Sequence, residues 1–85
     1  MFIQVKNYYV SGIFKMNNGV QFIIEDKQGN CSTWEFSTIT LKFYNKFGKK
    51  FKMPKYLAKE LISMANGNGL ICLTDVEKEN ALYWL

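Results

Sequence analysis

Between Lys42 and Lys59 the chain gathers seven lysines with no acidic residue among them: Lys42, Lys46, Lys49, Lys50, Lys52, Lys55 and Lys59. Phe43, Tyr44, Phe47, Phe51 and Tyr56 are interleaved with these lysines. Ammonium groups neutralise phosphates and release their counterions, while ring faces stack on bases, so the mixture suits a single-stranded nucleic acid. On this reading Lys46, Lys49, Lys50 and Lys52 hold phosphates. Lys42, Lys55 and Lys59 extend the basic surface, and Tyr44, Phe47 or Trp34 stack on bases. Lys55 and Lys59 fall in the first turns of a helix, where the dipole disfavours cations, a small stability cost. The plainer alternative makes the run a solvated loop, with Phe43 on an apolar strand face, Phe51 stapling the helix entry and Trp34 in the core.

Outside this segment four lysines stand against seven acids, so one stretch supplies the whole formal charge of +4. All eleven basic residues are lysine, and histidine is absent as well as arginine. No imidazole can act as general base or metal ligand. Without guanidinium the commonest specific base contact is missing, which argues against sequence-specific reading of a duplex. Ser11, Ser32, Ser37 and Ser63 have no histidine partner, and Glu25 and Asp26 are adjacent in a strand and so point apart. Cys31 and Cys72 are too few for a structural zinc site and are expected as free thiols, Cys72 buried between Ile71 and Leu73. Asn66-Gly67-Asn68-Gly69 follows a helix, the reverse of a phosphate-cradling loop, and reads as a cap plus turn. A non-enzymatic binding protein without cofactor or metal is expected.

The elements that must carry these residues fit one small domain over 1–85 with a limited core. Phe2 to Val10 is strand-prone, and Gly12 before Ile13 marks a bulge or bend. Asn17-Asn18-Gly19 is a hairpin signal, and Val20, Phe22 and Ile24 share one face of the strand that follows. Asp26 to Asn30 forms a second turn. From Cys31 to Tyr44 the apolar set shifts from even positions (Trp34, Phe36) to odd ones (Ile39, Leu41, Phe43). That shift predicts a bulge or a change of sheet at Ser37-Thr38. Pro54 opens a helix over 54–66 with Leu57, Leu61, Met64 and Ala65 on its stripe and Gly67 as its stop. Leu70 to Thr74 reads as a buried strand. The last segment is divided: Thr74 and Glu77 match a capping box, yet two apolar runs flanking 75–80 favour a hairpin. The pattern predicts an α+β domain of mostly antiparallel strands, a small OB-like or SH3-like barrel or roll of about five strands with one helix.

No segment has a secretory signal pattern or the length of a membrane span, which predicts a cytoplasmic protein without membrane contact. Lysine in place of all arginine, with abundant asparagine and isoleucine, is what an AT-rich genome encodes, and points to a phage or mobile element. The leading expectation is a largely sequence-independent binder of single-stranded DNA or RNA. The rival is a small inhibitor or adaptor that blocks a host or defence complex by docking its lysines on an acidic or nucleic-acid-binding protein. A homodimer through a terminal edge strand at Leu82 to Leu85, or an aromatic patch of Tyr8, Tyr9, Tyr83 and Trp84, is the third route to a partner.

Overall fold

Val20, Phe22 and Ile24 alternate with Gln21, Ile23 and Glu25, and this period of two builds the central strand of the sheet. The computed structural model describes residues 3–50 and 53–83. It contains β1 (Ile3–Val5), β2 (Tyr8–Met16), β3 (Gly19–Asp26), β4 (Cys31–Ser37), β5 (Phe43–Asn45), α1 (Lys55–Gly67) and α2 (Asp75–Tyr83). The strands form one antiparallel meander in the order β1-β2-β3-β4-β5. Among the described residues the sheet is not closed, so a barrel is not confirmed, and α1 follows all five strands rather than interrupting them.

Lys6, at φ 51°, and Asn7 reverse the chain, so the run expected as one strand from Phe2 to Val10 is divided between β1 and β2. The next two hairpins are set by their turn chemistry. Asn17 and Asn18 connect β2 to β3 in a two-residue turn, with Met16 paired to Gly19. A Cβ on Gly19 would collide with the Phe36 carbonyl oxygen, so this approach of β3 to β4 requires glycine. Asp26 closes the next turn. Its carboxylate accepts the backbone N–H of Gln28 and of Asn30, both at 2.9 Å, and the Asn30 backbone bond leads the causes that hold its pKa below the usual value. The bulge expected at Gly12 is there, as a register shift between Val10 and Gly12.

The parity shift after Phe36 has a simple geometric cause. Phe36 pairs with Phe43, and Glu35 with Tyr44, so an even position on β4 faces an odd one on β5. A tight connection reverses the chain: Ser37 Oγ accepts the N–H groups of Ile39 and Thr40, and the Leu41 N–H donates to the Ser37 carbonyl at 2.8 Å. Ile39 is therefore an exposed loop residue and not part of the core, whereas Phe43 is fully buried.

Val10, Val20, Phe22, Ile24, Phe36 and Phe43 from one sheet face meet Leu57, Ala58, Leu61, Ile62 and Ala65 of α1 in a single core. Burying such side chains is worth about 1.5–3 kcal/mol each before entropy is counted. Pro54 stands one residue outside α1 as its N-cap, where its missing N–H costs nothing. The stop is Gly69 rather than Gly67. Gly69 takes φ 73°, and the N–H groups of Leu70 and Gly69 reach back to the Ala65 and Asn66 carbonyls at 3.0 and 3.1 Å.

Two C-terminal expectations are corrected. Leu70 is a bend, and Ile71 to Thr74 form no strand and have no strand partner among the described residues. The Asn66 side chain takes the place of a sheet neighbour, accepting the Leu73 N–H at 2.9 Å. Ile71 and Leu73 are buried, but Cys72 between them points outward, and both thiols are exposed and free. The final segment is helix α2, not a hairpin, so Leu82 lies on a helix and offers no edge strand. The capping box prevails: the Thr74 N–H donates to Glu77 Oε1 at 3.0 Å and the Glu77 N–H to Thr74 Oγ1 at 3.2 Å. Asp75 and Glu77 in the first turn also suit the helix dipole. Thr74→Ala should lower stability by about 1 kcal/mol, read as a reduced urea midpoint with unchanged slope. An unchanged midpoint would show that Ala81 and Leu82 hold α2 without its cap. No helix among the described residues is long and apolar enough to cross a membrane.

Candidate nucleic-acid interface

The lysine segment begins as β5 and turns back on itself at once. Asn45 builds the turn: its side-chain oxygen accepts the N–H groups of Phe47 and Lys49 at 2.9 and 3.1 Å, and its own N–H donates to the Lys49 carbonyl at 2.9 Å. Gly48 supplies the left-handed φ of 76° that this reversal needs. Lys50 then pairs with Tyr44 in an antiparallel bridge. The result is a short finger at the edge of the sheet that exposes Lys46, Phe47, Lys49 and Lys50. Phe47 leaves 76% of its surface in solvent, with the Lys46 ammonium 5.2 Å from its ring centroid.

The other residues expected in the site do not all converge there. Tyr44 is half-buried, its hydroxyl 2.8 Å from Thr40 Oγ1. Lys42 is half-buried immediately before β5. Lys55 and Lys59 are exposed on α1, which belongs to the opposite, covered side of the sheet. Lys52 and Phe51 lie outside the described residues. Trp34, expected as a stacking residue, is partly buried: it pairs with Phe22 on the covered face and its ring centroid lies 5.9 Å from that of Tyr8. Tyr8 and Tyr9 point to opposite faces and Tyr83 stands at the end of α2, while Trp84 lies outside the described residues.

The face that the helices leave open carries residues that composition alone does not single out. Residues opposite one another in an antiparallel sheet share a face. Through this register Phe14, Gln21, Glu35, Tyr44 and Lys50 form one row across β2, β3, β4, β5 and the returning finger. Adjacent members stand about 4.8 Å apart. Tyr44 is thus flanked by a carboxylate on one side and an ammonium on the other. Phe14 (54% exposed), Met16 and Tyr9 add apolar surface to the same face. The bulge at Gly12 hides this face in the sequence, because it reverses the parity of β2 halfway along. Among the described residues no cluster of three or more metal-ligating side chains occurs. Comparison with protein-family models, curated proteins and solved structures yields no match.

Proposed function

We propose that this protein is a cytoplasmic, non-enzymatic binder of single-stranded nucleic acid, gripping the strand at the finger that follows β5. The observation that carries the reading is Phe47. A phenylalanine 76% exposed at a hairpin tip contributes nothing to the core, yet it is surrounded by Lys46, Lys49 and Lys50. The lysines take phosphates, the ring stacks on a base, and the finger's fixed turn limits the ordering cost of binding. Recognition is largely independent of sequence, because phosphate contact and stacking are available on any strand. Asp75, Glu77 and Glu79 belong to α2 and not to the finger.

The test is fluorescence anisotropy with a labelled single-stranded oligonucleotide across a salt series, with the Lys46, Lys49 and Lys50→Gln variant beside the wild type. Each lost phosphate contact removes about 0.7 from the slope of log affinity against log salt, so the triple variant should lose about 2 from that slope. Absence of binding at low salt, or equal slopes for the two proteins, would sink the proposal. The inhibitor or adaptor reading draws on exposed Phe14 and Met16 and is what remains if no oligonucleotide binds.

A further inference from the structure

Beside Tyr44 the open sheet face sinks into a hollow of about 310 Å³, near the lower limit for a small-ligand site. Met16, Asn17, Asn18, Glu35, Ser37 and Tyr44 line it. Gly19 lies between Met16 and Ser37 in the register and places no side chain over the floor. Most of the polar groups here are already engaged. Ser37 Oγ accepts the N–H groups of Ile39 and Thr40, the Asn18 carbonyl accepts the Thr38 N–H at 2.9 Å, and the Tyr44 hydroxyl is paired with Thr40. Glu35 differs: among the described residues no hydrogen bond or ion pair engages its carboxylate, although the side chain is half-buried.

We infer that this hollow takes a guanine base, an assignment that rests on the nucleic-acid reading and adds a base preference to it. An ionised carboxylate only accepts hydrogen bonds. Guanine alone among the common bases presents two adjacent donors on its Watson–Crick edge, N1–H and the N2 amino group, which match the two carboxylate oxygens. Adenine and cytosine put a ring-nitrogen acceptor beside the amino group, directly against the carboxylate lone pairs. Uracil and thymine offer a single N–H between two carbonyls. The Tyr44 ring supplies a stacking surface, and the Met16 thioether a polarizable contact across the hollow. Lys50, on the other side of Tyr44 in the same row, is placed for the phosphate of that nucleotide. The sheet face thus reads one base while the finger holds the strand.

The test uses four labelled oligothymidylates that differ at one central position: thymine, guanine, inosine (which lacks the N2 amino group) or adenine. Wild type should bind the guanine strand roughly tenfold more tightly than the adenine strand, with inosine between them, since a bidentate base contact has about that worth. Glu35→Gln, nearly isosteric, should level the guanine and adenine affinities. Displacement of the guanine strand by GMP but not AMP supports the same pocket acting on a free nucleotide. Equal affinity for all four strands, unchanged by Glu35→Gln, overturns the guanine assignment and leaves the finger's role intact. Absence of binding by any strand overturns the underlying reading instead.

Discussion

Phe43→Ala should cost about 3–5 kcal/mol of stability, the range for emptying a buried phenylalanine site. The ring is fully buried, with centroids 4.9 Å from Phe36 and 6.4 Å from Phe22. In a domain this small, where total stability is roughly 5–15 kcal/mol, that is a large share of the whole. The position also has a local consequence. β5 is only three residues long and is held by its pairing with β4 and by this one inward ring. Losing the ring should therefore release the lysine finger before the rest of the sheet. Urea unfolding followed by far-UV circular dichroism reads the global loss, and amide exchange at Asn45 and Lys49 reads the local one. A midpoint close to that of the wild type would mean the core closes without Phe43.

Phe47→Ala should do the reverse. Its side chain is almost bare, so stability should stay within about 0.5 kcal/mol of the wild type. Binding of a single-stranded oligonucleotide should weaken by about 1–3 kcal/mol, the value of one base stacked on an aromatic ring. Because a ring contributes no charge, the salt slope should stay unchanged, in contrast to the lysine variants. If affinity is unaffected while the lysine variant loses it, the finger acts by charge alone. If stability falls, Phe47 belongs to a packed surface and the proposed role is wrong.

These two phenylalanines lie four residues apart in one lysine-rich stretch, and composition cannot tell them apart. The pairing of Phe36 with Phe43 turns one inward, and the Asn45 turn throws the other outward. Trp34 is a different case. It is attractive as a stacking residue by type, but its register with Phe22 places it on the covered face. The Phe14–Gln21–Glu35–Tyr44–Lys50 row was not legible either, because it draws one residue from each of five segments. Only the bulge at Gly12 and the four successive pairings from β2 to the finger align them.

Local chemistry, by contrast, was readable at several places where neighbours in sequence decide the outcome. Gly12 gave the bulge, Asn17 and Asn18 the two-residue turn, Asp26 to Asn30 the next reversal, and the Leu57, Leu61 and Ala65 stripe the buried face of α1. At the C-terminus the capping box at Thr74 and Glu77 was equally local, but it competed with an all-apolar tail that resembles a strand. The helix prevails because Ala81 is buried and Leu82 packs against the core, an outcome that depends on α1 being alongside. Leu70 to Leu73 alternates like a strand, yet a strand needs a partner edge, and the Asn66 side chain satisfies Leu73 in its place. The sequence by itself determined the turns at Asn17-Asn18 and Asp26 to Asn30, the helix stripe, the charge asymmetry and the absence of imidazole and guanidinium chemistry, since each is a property of residue type and near spacing. Only the tertiary structure decided that the sheet stays open, which rings face water, and which residues stand beside Tyr44, because those depend on register between strands that are distant in the chain.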